Sequence, residues 1–210
     1  MRYVNLLIKP ASSLCNLRCR YCFYTDEAQK RREASHGLMS HKTVDRLIRD
    51  SYLAAEPGGT VSFAFQGGEP TAAGLDFFRD FVKTARETRP ERTNISFSIQ
   101  TNGTLLDDEW AEFLRGEGFL TGLSIDGLPE AHDMHRVDSK GNGTWGAVLK
   151  AKRLLDRHNV EHNALCVVTG RLARHPEQAY KNLKKLGFRY LQFIACLDPL
   201  GSPVEAAPGR

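Results

Sequence analysis

The sequence predicts an α/β fold, a six-stranded parallel sheet rolled into a barrel or part of one. Three observations carry this. Six short β-prone runs alternate with amphipathic helical stretches, and strict β–α alternation implies parallel strands joined by right-handed crossovers. Three successive runs pair a small, polar face with a bulky, apolar one. A cysteine-rich loop follows the first run, at the strand end where parallel barrels collect their functional groups. A doubly wound sheet is the alternative architecture. The small polar face favours the barrel, because it lines a space that holds something other than hydrocarbon.

The elements follow in order. The strand runs are Tyr3 to Ile8, Val61 to Phe65, Ile95 to Ile99, Thr121 to Ile125, Ala164 to Val168 and Tyr190 to Ala195. Thr43 to Ala55 carries Val44, Leu47, Ile48 and Leu53 at helical spacing, and Leu75 to Arg86 carries Phe77, Phe78, Phe81 and Val82. Asp107 to Arg115 opens on Asp107-Asp108-Glu109, acidic residues that suit the positive end of a helix dipole. Ala147 to His158 and Pro176 to Leu186 complete the helices. In strand two, Ser62, Ala64, Gln66 and Gly68 oppose Val61, Phe63 and Phe65; in strand three, Ser96, Ser98, Gln100 and Asn102 oppose Ile95, Phe97 and Ile99. In strand four, Gly122, Ser124 and Asp126 oppose Leu123 and Ile125. A solvated antiparallel sheet also alternates, but the intervening helices argue against it. Residues 1–198 read as one core domain, and the Pro/Gly-rich stretch 199–210 as a linker or a loop leaving the last strand.

Composition narrows the function. With 210 residues, 41% apolar and 26% charged, the chain buries a real core. A net charge of +4 from scattered basic residues does not imply nucleic acid. The apolar run at the N-terminus is too short for a signal peptide and no later stretch spans a membrane, so a cytoplasmic protein is expected. There thiols stay reduced, and clustered cysteines point to metal rather than disulfides.

Cys15, Cys19 and Cys22 form C-x-x-x-C-x-x-C in one short loop. Three thiolates at this spacing suit three corners of a 4Fe–4S cluster, with the fourth iron left open for chemistry. A zinc site completed by His36 or another remote ligand, and a Cys19–Cys22 redox pair, are the competing readings. Zinc sites usually show two C-x-x-C hooks, and a redox pair leaves Cys15 unexplained. Cys166 and Cys196 lie in apolar strand contexts and are expected to be inert core thiols. Gln66-Gly67-Gly68-Glu69-Pro70 lets backbone approach a ligand closely, so that carbonyl groups can accept from an ammonium. Ser124 points to the polar face and can donate to a carboxylate, which the planar fork of Arg136 can also hold. His132 and His135 are expected to be loop residues rather than metal ligands.

Together these segments resemble the radical S-adenosylmethionine (SAM) superfamily. Leu7 to Ser13, Cys22-Phe23-Tyr24, Ser62 to Thr71, Gln100 to Leu105 and Leu191 to Leu200 resemble, more closely, its anaerobic sulfatase-maturating enzymes. The resemblance implies a partial (β/α)6 barrel holding a 4Fe–4S cluster, with SAM chelated to the open iron. It implies that Tyr21 contacts the adenine region through its backbone, Gly68 the SAM amino group, Ser124 and Arg136 the carboxylate, and Leu197 the adenine side. It implies reductive cleavage of SAM to methionine and a 5′-deoxyadenosyl radical, then oxidation of a Cys or Ser in an unfolded sulfatase segment to formylglycine, with electrons from a donor such as ferredoxin or flavodoxin. Members of that family continue into an extension with two further iron–sulfur clusters and an aspartate proposed as the base, so this chain is expected to be a truncated form. Another radical SAM peptide-modifying maturase and a non-catalytic iron–sulfur electron carrier are the alternatives. The carrier needs neither the two-glycine turn nor Ser124 and Arg136.

Overall fold

The computed structural model describes residues 1–198; the tail expected over 199–210 lies outside the described residues. The strands are β1 (Tyr3–Ile8), β2 (Thr60–Phe65), β3 (Asn94–Thr101), β4 (Leu120–Ser124), β5 (His162–Val168) and β6 (Leu191–Ala195). They pair in the order β1-β2-β3-β4-β5-β6, and every pairing is parallel. β1 and β6 are the two edges, so the sheet curls into a half-barrel rather than closing.

The helices are α1 (Phe23–Gln29), α2 (His41–Ala54), α3 (Leu75–Glu87), α4 (Asp108–Gly116), α5 (Pro129–His135), α6 (Trp145–Arg157), α7 (Gly170–Ala173) and α8 (Pro176–Lys185), with a 3₁₀ turn at Pro70–Ala73. Local chemistry sets several starts. Ser40 accepts from the Thr43 N–H and opens α2 earlier than its apolar stripe begins. Asp107, expected inside α4, is its cap and accepts from the Trp110 N–H at 2.9 Å. Pro129 sits in the first turn of α5, where its missing N–H costs nothing.

The sheet and the outer helices enclose the core. Phe63 and Phe65 of β2 point outward and are fully buried with Phe78 and Phe81 of α3 and Phe119 ahead of β4. Their rings, with that of Phe97 on β3, meet edge to face, tilted or stacked, with centroids 4.8–6.4 Å apart. Each buried ring stabilises the fold by roughly 1.5–3 kcal/mol. The opposite face of the same strands carries Ser62, Ala64, Ser98 and Gln100, all partly exposed to the lumen, as the alternation predicts.

Candidate functional site

The site forms at the C-terminal ends of the strands. β1 runs into a turn in which Ser12 adopts left-handed backbone (φ +54°) and Leu14 N donates to Ala11 O. The cysteine loop comes next. It is fastened to the end of α5 and the segment after it: Arg18 N donates to Val137 O at 2.7 Å and Arg20 N to His135 O at 2.8 Å, and Leu17 bridges Asp138 in antiparallel sense. Cys22 then caps α1.

One cavity unites the residues singled out from the sequence. Cys15, Cys19 and Cys22 line one side of it. Tyr21, Gly68, Ser124, Arg136 and Leu197 line the remainder, with Gln66 and Asn102 between them. Gly68 has φ +55°, and a Cβ there would stand 2.3 Å from Leu14 O, so only glycine lets this turn press against the cysteine loop. Ser124 Oγ accepts from Gln100 Nε2 at 3.0 Å, which leaves its own hydrogen for the cavity. Leu197 is 60% exposed and shields the cavity at its β6 side.

Arg136 caps the C-terminal end of α5. It is 6% exposed and forks onto Asp126, with Nε to Oδ2 and a terminal nitrogen to Oδ1 both at 3.2 Å. Asp126 also accepts from Tyr21 Oη at 2.6 Å and from Val167 N at 3.0 Å. Burial works to raise the Asp126 pKa, but the Arg136 charge and these hydrogen bonds hold it below the usual carboxylate value. The guanidinium also stands 5.4 Å over the Tyr21 ring. Asp126 therefore ties the cysteine loop, β4, β5 and Arg136 into one unit. Its position beside Ser124 on the polar face of strand four was the available signal for it.

Two expectations are corrected. His132 and His135 are not loop residues: both lie buried in α5. His132 Nδ1 accepts from Asp126 N at 3.3 Å, and burial together with the Arg136 charge pushes its pKa down to about 3. Cys166 is a buried core thiol, raised to about 12 by burial. Cys196 is not a core thiol. It lies just past β6, is half-buried and lines the cavity. Helices α1, α5 and α7 also lie outside the elements read from the sequence, because at seven residues or fewer each shows too few turns for a periodic stripe.

The donor set fits a thiolate-bound iron cluster. The described cysteines form no disulfide. Burial raises the Cys19 thiol to about 12 and also raises Cys15, so metal entry must displace protons there, as a thiolate-binding cation does. Among the described residues no three His, Cys, Asp or Glu side chains converge on a point for a single ion. A cube spreads its ligands over separate irons and needs no such convergence.

The sequence profile of the radical SAM superfamily matches residues 10–183. The chain belongs to the radical SAM superfamily. Within it, this radical SAM chain is 43% identical over 208 residues to the cysteine-type anaerobic sulfatase-maturating enzyme of Clostridium novyi (strain NT), covering 99% of itself and 55% of that relative. It is 40% identical over 191 residues to the serine-type enzyme of Klebsiella aerogenes, covering 90% of itself and 46% of the relative. The solved structure of native anSMEcpe with bound AdoMet superposes with a TM-score of 0.90 at 44% identity, covering 98% of this chain and 55% of that one. The chain thus spans about half the length of the curated relatives it matches. Streptococcus suis SuiB, at 19% identity and a TM-score of 0.68, shares the fold. Among the described residues no helix is long and apolar enough to cross a membrane.

Proposed function

We propose that this chain is the radical SAM core of an anaerobic sulfatase-maturating enzyme. The observation that carries the reading is the single cavity that joins three loop cysteines to Gly68, Ser124, Arg136 and Leu197. When bound there, a 4Fe–4S cluster and SAM would supply a 5′-deoxyadenosyl radical that takes one hydrogen atom from a Cys or Ser of a sulfatase segment. Formylglycine then requires a second electron and a proton to pass to a further acceptor, with water replacing the sulfur, released as sulfide, when the residue is Cys. Cys15, Cys19 and Cys22 hold the cluster. The Gly68 backbone receives the SAM amino group, and Ser124 and Arg136 receive its carboxylate. The Tyr21 backbone and Leu197 flank the adenine. Asp126 holds the Arg136 fork on one edge, which leaves its other N–H groups for the ligand. The inner-face residues Ser98 and Gln100 line the approach for an unfolded peptide. The solved relatives anSMEcpe with bound AdoMet and the Cp18Cys or Kp18Cys peptide support a peptide partner. A cytoplasmic protein reduced by a ferredoxin- or flavodoxin-like donor fits three thiols kept free of disulfides.

The test begins with anaerobic reconstitution. About four irons per chain are expected. Cys15→Ala, Cys19→Ala and Cys22→Ala should each lose the cluster, and Cys166→Ala should keep it. With SAM, a strong reductant and a sulfatase-derived peptide, 5′-deoxyadenosine should form. Stoichiometric zinc without iron, or no SAM cleavage by the iron-loaded chain, refutes the reading.

A further inference from the structure

Behind Cys15, Asn102 and Thr104 after β3 build a closed ring of hydrogen bonds with Asn16 of the cysteine loop. Asn102 Nδ2 donates to Asn16 Oδ1 at 3.0 Å, Asn16 Nδ2 donates to Thr104 Oγ1 at 2.7 Å, and Thr104 Oγ1 donates to Asn102 Oδ1 at 2.7 Å. Thr104 N adds a second donor to Asn102 Oδ1 at 2.9 Å. Two donors on that oxygen fix which end of the Asn102 amide is nitrogen. The backbone is held as well: Asn102 N donates at 2.7 Å to Glu69 Oε2, a carboxylate buried from solvent.

An amide nitrogen carries two hydrogens. The ring takes one of them. The other is available to Cys15, whose Sγ lies 3.9 Å from Asn102 Nδ2. Leu17 N, at 3.4 Å, is the second donor to the same sulfur. Cys15 thus has a side-chain donor locked in place by three neighbours, a feature that no contact of Cys19 or Cys22 matches among the described residues.

We propose that Asn102 is a positioning residue for the Cys15 corner, whose N–H···S contact raises the reduction potential of the cluster held there. The inference rests on the cluster reading given under Proposed function. Hydrogen bonds to cluster sulfurs stabilise the more electron-rich, reduced state and so move the potential upward. Asn16 and Thr104 act through Asn102, by fixing its amide.

Asn102→Leu keeps the approximate side-chain size and removes the donor. In EPR-monitored redox titrations of the reconstituted chain, the ratio of reduced to oxidised cluster at fixed poise should fall about two- to tenfold, a shift of about 20–60 mV to more negative potential. Thr104→Val opens the ring without touching the sulfur and should shift the potential the same way by less. Iron content is measured alongside. An iron-loaded Asn102→Leu chain with the parent's potential overturns the inference. If Asn102→Leu does not hold iron, Thr104→Val decides: an unshifted potential there overturns it equally. A parent chain that binds no cluster refutes the cluster reading itself, and is told apart by its iron content.

Discussion

Neighbouring positions on β2 and β3 face two different solvents. Outward, Phe63 lies opposite Phe97 in register, their rings stacked at 5.7 Å under α3. Inward and one residue earlier, Ser62 lies opposite Ser96, joined by a hydroxyl bond of 2.9 Å. The outer face is filled like any protein interior, so its residues are judged by volume. The inner face is left open, so its residues are judged by what they offer a ligand. Stability and chemistry are therefore carried by alternate residues of the same strands, and each can be altered with limited effect on the other.

The most direct challenge to that division of labour is on β2. Phe63→Ala should cost about 3–5 kcal/mol of stability, because a fully buried ring leaves a cavity that its neighbours only partly fill. Ser62→Ala, one position away, should change stability by less than about 0.5 kcal/mol. Denaturant unfolding of both variants measures this, and a reversed ranking would place the core on the wrong face.

Two glycines in left-handed backbone extend the contrast to the loops. Gly118 has φ +69° and open space where a Cβ would stand, so Gly118→Ala should cost only the roughly 1–2 kcal/mol of that backbone region. Gly68→Ala carries the same backbone cost and also drives a Cβ into Leu14 O, against the cysteine loop. It should lower SAM affinity at least about tenfold in calorimetric titration of the iron-loaded chain, a loss of about 1.4 kcal/mol in binding. SAM binding unchanged in Gly68→Ala removes this turn from the site.

The last contrast concerns the polar groups buried behind the rim. His132 is neutral in the fold because burial and Arg136 oppose its charge, with a pKa of about 3 against 6.5 for an ordinary imidazole. Below pH 6.5 the unfolded chain takes up this proton and the folded chain does not, so stability falls as pH drops toward about 3. Asp126, depressed in the fold, adds a further loss only as pH falls below the ordinary carboxylate range. His132→Asn keeps an acceptor for Asp126 N and should flatten the upper part of this slope. An unchanged slope in thermal unfolding from pH 6.5 downward contradicts the assignment.

Strand faces and the cysteine loop are legible in the chain alone. A side-chain period of two assigns Phe63 and Ser62 to opposite faces without knowledge of any partner, and the C-x-x-x-C-x-x-C spacing is local. The two-glycine turn is legible for a similar reason, although Leu14 as the backbone it presses against is not. The polar contacts that hold the site come from the folded arrangement instead. Tyr21 reaches Asp126 across 105 residues, and Asn16 reaches Asn102 across 86. Such pairs leave no periodic trace, because each partner's own neighbours are compatible with many others. Arg136 is legible as a cation that can hold a carboxylate, but its pairing with Asp126 is not. Cys196 is misread for a similar reason, because its place at the cavity is set by where β6 ends. Local spacing fixes what a segment can do; the curl of the sheet fixes which segments meet.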